Sequence, residues 1–182
     1  MALNKPIPKA KVIRQLLDYD KISGAFTWKE RALSFFPDAR AWKIWNTRFA
    51  GKPALCTLAH NGYLYGAIFG ENFSAHRIAW VHATGKEPKE IDHINGNRAD
   101  NRLANLRAVT RTQNCQNVAI SSRNSSGFVG VSWSKVMKSW HVRIGGETIG
   151  YFSKFEDAVA ARKIAEANKG FHPNHGRAAA LA

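Results

Sequence analysis

The spacing of apolar positions predicts alternating helices and strands in the first part of the chain. Apolar residues at helical spacing predict a helix over residues 9–18. The segment 62–80, GYLYGAIFGENFSAHRIAW, predicts a β-hairpin that turns at Gly70–Glu71 and leads into a helix from about Ser74 to Ala83. This mixture of elements favours an α+β fold.

Residues 31–49 are rich in aromatic and basic side chains, and two interpretations of them stay open. The aromatic members are Phe35, Phe36, Trp42, Trp45 and Phe49. These rings could form part of the core or part of a nucleic-acid-binding face. Mixed burial is the interpretation that we favour.

The stretch from 91 to 114 is polar and rich in asparagine, which suits neither helix interiors nor strands. Asn95–Gly96 predicts a tight turn directly after a short strand, EIDHI. The segment LRAV predicts a second strand, and Thr110 with Gln113 three residues later predicts a capping box that starts a helix. The pattern is therefore strand, long polar loop, strand and helix.

Serine, asparagine and glycine in residues 119–127 predict a linker after a first domain of residues 1–118, whose strand–loop–strand–helix core spans about 88–118. Three short runs follow, FVGVSW, SWHVRI and ETIGYF, and then a helix with Ser153 as its N-cap that ends at Gly170. They predict a second domain, residues 128–172, in which one face of a three-stranded antiparallel sheet packs on the helix. Residues 173–182 are treated as a tail.

The charge indicates a polyanionic partner. The net charge is +14 and the isoelectric point is near 10.2, which favours nucleic acid over a membrane surface. Residues 1–118 hold 18 Lys and Arg against 9 Asp and Glu, and residues 119–182 hold 9 against 4. A basic protein that binds no nucleic acid is the alternative on charge alone.

Apolar runs are too short to span a bilayer, and the two cysteines form no Cys-x-x-Cys pair. We therefore expect a soluble, intracellular protein without a disulfide framework or a thiolate zinc site. A monomer or weak dimer is expected.

The pattern DHINGN…DNR…NLR…T…N resembles the ββα-metal active site of the HNH nucleases, in particular the phage homing endonucleases of that family. The matching residues are Asp92, His93, Asn105 twelve positions after His93, and Asn114 twenty-one positions after it. The upstream segment AHRIAW also matches the phage branch, which implies a phage-encoded protein that acts in the host cell.

The resemblance implies a role for each of these residues. His93 would be the general base. Asp92 and Asn114 would hold one divalent cation through oxygen atoms, Mg²⁺ or Mn²⁺ rather than zinc. Asn105, part of the same catalytic unit, would pin the loop and orient His93. An asparagine-rich capped loop with an ordinary histidine is the alternative reading.

Two further sets of residues are candidates for contacts with DNA. His76, with Arg77 beside it, could reach a phosphate. Residues 126–172 resemble the plant ethylene-response-factor (APETALA-two type) DNA-binding domain, which implies a sheet lying in the major groove. The candidates for its exposed face are Trp133, Lys135, Lys138, Trp140 and Arg143. The alternative, which stays open for Trp140 in particular, is that the two tryptophans belong to the core.

We expect a two-domain HNH homing endonuclease that cuts double-stranded DNA, nicking one strand unless it dimerises. The rival hypothesis is a non-catalytic DNA-binding regulator on a degenerate nuclease scaffold. A third, an RNA-binding protein, has no recognisable single-strand stacking motif in its favour.

Overall fold

The computed structural model describes residues 6–115, 117 and 120–176, in which the chain forms two compact units that divide between Val109 and Thr110. Within these residues, no helix has both the length and the apolar character needed to cross a membrane.

The first unit combines helices with short antiparallel strands. Its helices are α1 (Ala10–Leu16), α2 (Ala39–Phe49) and α3 (Ala75–Thr84). Its strands are β1 (Leu17–Tyr19), β2 (Phe26–Trp28), β3 (Pro53–Ala54), β4 (Thr57–Leu58), β5 (Leu64–Ile68), β6 (Glu71–Ser74), β7 (Glu90–His93) and β8 (Leu106–Val109). Strands β1, β2 and β3 form one sheet, β4, β5 and β6 form another, and β7 pairs with β8.

The core of the first unit lies where α1 and α3 pack together against the strands. Ile13, Leu16 and Ile78 are fully buried there. Burying each of these side chains contributes about 1.5–3 kcal/mol to stability. Helix α1 ends earlier than the sequence predicts, because Leu17 begins β1 and pairs with Trp28 of β2.

The hairpin and helix predicted around residue 70 are present. The turn lies at Phe69–Gly70, one residue before the predicted position, and Gly70 has a φ of 79° that suits glycine. Helix α3 follows directly, and Gly85 in the left-handed region ends it.

Helix α2 accounts for the aromatic and basic stretch, where the sequence predicts no element. Its start is fixed by Asp38, whose carboxylate accepts a hydrogen bond of 2.7 Å from the backbone N–H of Ala41. Trp42 Nε1 and Asn46 Nδ2 both donate to the carbonyl of Arg31, which ties the helix to the segment before it. Trp45 is partly buried against the core, so burial along this stretch is mixed.

The second unit holds the helix α4 (Arg111–Cys115), the strands β9 (Val131–Ser134), β10 (Ser139–Ile144) and β11 (Glu147–Phe152), and the helix α5 (Phe155–Asn168). The predicted capping box starts α4: the Thr110 N–H donates to Gln113 Oε1, and the Gln113 N–H donates to Thr110 Oγ1. The strands form an antiparallel sheet in the order β11–β10–β9, and one face packs on α5.

Helix α5 begins one residue later than predicted. Lys154, not Ser153, occupies the N-cap position, and no side chain caps the helix. Glu156 and Asp157 lie in its first turn instead, where acidic side chains interact favourably with the helix dipole.

Candidate active site

The antiparallel pair β7–β8 positions the two candidate residues at the end of a strand. In its register Asp92 lies opposite Arg107, and His93 lies opposite Leu106. Both Asp92 and His93 are buried, although both are polar. Burying such groups is costly unless they have partners, so their surroundings decide what they can do.

His93 is enclosed by other rings and by an amide. The Tyr63 and His76 rings lie with their centroids 5.7 Å and 5.2 Å from that of His93. Nε2 of His93 is 3.4 Å from Oδ1 of Asn101. Because an amide oxygen can only accept a hydrogen bond, this contact favours the tautomer with its hydrogen on Nε2 and its lone pair on Nδ1.

Burial lowers the pKa of His93 below its ordinary value of 6.5, and the contact with Asn101 and the charge of Asp92 only partly oppose this. The imidazole is therefore neutral at pH 7. A neutral imidazole can accept a proton, which a general base requires.

Asp92 is paired with a cation of the neighbouring strand. Nε and Nη2 of Arg107 both donate to Oδ2 of Asp92, at 2.9 Å and 2.7 Å. Sequence reasoning did not identify this ion pair. The facing positions in the β7–β8 register are the signal that could have revealed it.

The loop between β7 and β8 is held together by asparagine side chains. Oδ1 of Asn105 accepts the N–H of Asn95 at 2.9 Å, and Nδ2 of Asn105 donates to the carbonyl of Asp100 at 2.9 Å. Nδ2 of Asn95 donates to the Asp100 carboxylate at 2.7 Å. These bonds cross-link the two sides of the loop beside His93.

Asn101 supplies an amide contact to His93 that the sequence did not indicate. Asn101 is only 2% exposed, and its backbone carbonyl accepts a hydrogen bond from the hydroxyl of Tyr19 at 2.7 Å. Asn105 acts on the histidine through the backbone, where the Ile94 N–H donates to its carbonyl. The loop between β7 and β8 contains four asparagines, and no sequence pattern singles out Asn101.

His76 is partly buried beside the candidate base, with its ring centroid 5.2 Å from that of His93 and 4.9 Å from that of Tyr63. Burial and the nearby charges of His93 and Arg77 lower the pKa of His76 to about 3, so this imidazole is neutral. It can contact a phosphate only as a neutral donor. Arg77 is held by Glu87 at 2.5 Å and donates to the carbonyl of Pro88, so it ties α3 to the segment that follows it.

Asn114 lies on α4 in the second unit, so its pairing with Asp92 as a metal ligand stays a prediction. Within the described residues, no group of three or more His, Cys, Asp and Glu side chains is arranged to hold a metal ion. A carboxylate and an amide supply oxygen atoms only, which suits Mg²⁺ or Mn²⁺.

The tryptophans predicted for the DNA-facing side of the second sheet lie on its other side. Trp133 pairs with Trp140 across β9 and β10, on the same side as Val131 and Val142, which pack on the helix. The Trp140 ring contacts that of Phe155 of α5, with a centroid distance of 4.7 Å. Trp133 is nevertheless 48% exposed, at the end of the sheet.

The remaining candidates for DNA contacts are exposed. Lys135 and Lys138 lie in the turn between β9 and β10. Arg143 lies on the face of the sheet opposite α5, and the same face carries His141 stacked on Tyr151 at 4.6 Å. The contact of these residues with DNA stays a prediction.

Comparison with known proteins supports a nuclease site in this region. Residues 73–116 match the family model described as HNH endonuclease, and this range includes His76, Asp92, His93, Asn105 and Asn114. Protein 3.8 of Escherichia phage T7 is 38% identical over 74 residues, which is 40% of this chain and 61% of that protein. No solved structure matches the chain. The HNH match suggests a function of the DNA endonuclease kind.

Proposed function

We propose that this protein is an HNH endonuclease of the homing type that hydrolyses a phosphodiester bond in double-stranded DNA. The proposal rests on the state and position of His93. It is a neutral, buried imidazole at the end of β7 inside the range that matches the HNH family. The net charge of +14 suits a polyanionic substrate.

In the proposed reaction His93 takes a proton from a water molecule, and the resulting hydroxide attacks the phosphorus atom. The bond from phosphorus to the 3′ oxygen breaks, and the departing oxygen takes up a proton from solvent, which leaves a 5′-phosphate and a 3′-hydroxyl. Asn101 holds the ring through Nε2, so the proton would be taken up at Nδ1. The hydrogen bonds of Asn105 keep the adjacent loop in place during this step.

Asp92 and Asn114 would hold the divalent cation of this site. When bound, Mg²⁺ or Mn²⁺ would neutralise charge on the scissile phosphate and on the departing oxygen. Arg107 already donates to one carboxylate oxygen of Asp92, so it orients that carboxylate and weakens its attraction for a cation. We therefore propose a weak metal site that is filled together with the DNA phosphate.

The finer features of the proposal rest on the resemblances. One site per chain implies a nick in one strand unless two chains act together. The sheet and helix of the second unit would read DNA as ethylene-response-factor domains do, through Arg143 and the lysines of the β9–β10 turn.

The deciding experiment is incubation of supercoiled plasmid with the full chain and Mg²⁺ or Mn²⁺. Nicked circles should form, and EDTA should abolish them. Asp92→Ala and Asn114→Ala should each raise the metal concentration needed for half-maximal nicking. Asp18→Ala removes an exposed acid and serves as the control. Cleavage that persists in EDTA, or an unchanged metal response in Asp92→Ala, would refute the metal-dependent assignment.

A DNA-binding regulator without nuclease activity is the second candidate. The ion pair of Asp92 with Arg107 favours it, because this pair satisfies part of the carboxylate without any metal. The same assay separates the two functions. A regulator would bind DNA tightly and produce no nicks at any metal concentration.

A further inference from the structure

The first unit contains a cavity of about 400 Å³ that lies among residues outside the matched HNH range. Its wall includes five aromatic side chains and one cation. The side chains that matter here are Arg31, Trp28, Trp45, Phe49, Tyr65 and Phe69. Cavities of this size commonly hold small organic ligands.

Arg31 is the unusual member of this wall. It is only 7% exposed, and its guanidinium carbon lies 3.7 Å from the centroid of the Trp45 ring and 4.8 Å from that of Trp28. Burial lowers the pKa of Arg31 to about 10, which still leaves it charged at pH 7. A buried charge of this kind normally has an anionic partner.

No such partner is present in the part of the chain that the structure describes. Nε of Arg31 is buried without a hydrogen-bond partner there, and no carboxylate pairs with the guanidinium. The rings cover faces of the guanidinium, but its N–H groups lie in the plane and need acceptors. One donor of this guanidinium, Nε, is therefore left without an acceptor in a residue that lines the cavity.

The backbone around the cavity is held in a costly conformation. Leu55 and Phe69 both line it with positive φ values, 50° and 53°. The hairpin turn at Phe69–Gly70 sets the value of Phe69, whereas that of Leu55 is one that bulky residues rarely adopt. Gly66 lies so close to Leu55 that an added Cβ would be 2.7 Å from the Leu55 Cα. Strain of this kind is concentrated at binding sites.

We propose that this cavity binds one nucleotide, with the phosphate on Arg31 and the base stacked on the aromatic wall. In-plane guanidinium donors match phosphate oxygens, and aromatic rings stack with any base. An apolar ligand would leave the arginine unpaired, and a bare anion would leave the rings unused. The inference does not depend on nuclease activity.

Two cysteines allow a direct test. Cys56 lines the cavity and is exposed, whereas Cys115 is exposed in the second unit. The rate at which N-ethylmaleimide modifies each thiol can be followed by mass spectrometry with the full chain. At saturating deoxynucleoside monophosphate the rate at Cys56 should fall by about tenfold or more, because only the unbound fraction reacts. The rate at Cys115 should not change.

The ligand series defines the chemistry and the source of the nucleotide. Inorganic phosphate alone and deoxynucleosides alone should each protect Cys56 much less than the monophosphates. Protection by monophosphates identifies a free nucleotide as a ligand, and protection by single-stranded oligonucleotides alone identifies a nucleotide within a strand. The proposal is overturned if neither protects Cys56, if phosphate or nucleoside protects it as well as the nucleotide does, or if Cys115 is protected to the same extent.

Variants separate binding from folding. Arg31→Met should weaken protection about 10- to 100-fold, the loss expected for a charge-assisted hydrogen bond. Its melting temperature should hold or rise, because an unpaired buried charge is removed. Arg40→Met removes an exposed charge on α2 and is the control.

Undiminished protection in Arg31→Met overturns the proposal, and if that variant does not fold, the ligand series on the unaltered chain decides. His93→Ala should retain full protection of Cys56, so loss of nuclease activity and loss of this site are distinguishable.

Discussion

At the scale of single residues, the histidine at the end of β7 is the sharpest test of the proposed chemistry. His93→Ala should lower the nicking rate by about 10²- to 10⁴-fold, the contribution of a general base. DNA affinity should stay nearly the same, since this buried ring offers little surface for binding. His60→Ala, which alters an exposed histidine, is the matched control. Rates should be measured with plasmid in excess, and equal nicking by both variants would disprove the role of His93.

His76 should make the stability of the protein depend on pH. In the unfolded protein the imidazole of His76 takes up a proton near pH 6.5. In the folded protein the pKa of His76 is about 3, so the ring stays neutral down to that pH. The unfolded state therefore binds more protons between these values, so the free energy of unfolding falls as pH falls, by up to about 1.4 kcal/mol per pH unit.

Replacing the ring should remove that part of the pH dependence. His76→Phe keeps an aromatic ring against Tyr63 and His93, and urea unfolding across this pH window should give a shallower slope than the unaltered chain. His60→Phe should leave the slope as it was. An identical slope in His76→Phe would show that His76 is not held neutral.

At the scale of elements, the loop between β7 and β8 is stabilised by amides that reach across it. Asn105→Ala removes one acceptor and one donor and leaves the Asn95 N–H and the Asp100 carbonyl without these partners, which costs about 1–3 kcal/mol. Both the melting temperature and the nicking rate should fall together. Asn97→Ala, at an exposed amide of the same loop, should change both much less. Activity lost at full thermal stability would contradict this positioning role.

Local patterns predicted the elements that depend on neighbouring residues. The β7 and β8 strands, the helix α3 and the capping box of α4 all have their cause within a few positions of sequence. Helix α2 was not predicted, because tertiary packing decides which of its aromatic rings are buried, and the sequence alone did not indicate this. The start of α5 was placed one residue early because a serine was assumed to be its cap.

Contacts between distant parts of the chain could not be predicted from the sequence. The sequence indicated that Asp92 and His93 belong to one site, but not that Asn101 would contact the imidazole or that Arg107 would pair with the carboxylate. The sequence left open whether the two tryptophans of the second sheet are exposed or belong to the core, because the side of a strand that faces a helix depends on register with its neighbours. The buried cation Arg31 gave no sequence signal.

At the scale of the whole molecule, charge and chemistry are divided unequally along the chain. Residues 1–118 hold 18 Lys and Arg against 9 Asp and Glu, together with all the proposed catalytic residues, and the remainder holds 9 against 4. The rest of the chain also carries the proposed DNA-reading sheet. This division predicts that cleavage and site preference can be separated.

A chain shortened to residues 1–118 should still nick DNA at low salt, because the catalytic residues and a basic surface remain. It should lose affinity for the preferred site, since each base-reading side chain is worth about 1–3 kcal/mol. The slope of log K against log salt should become shallower by about 0.9 for each phosphate contact removed.

The measurement is binding of both chains, across a salt series, to a duplex selected with the full chain and to random duplex. Arg143→Gln in the full chain should reproduce part of the loss of preference, whereas Lys163→Gln, on an exposed position of α5, should not. If the shortened chain kept both the full salt slope and the full preference, residues 119–182 would not read DNA.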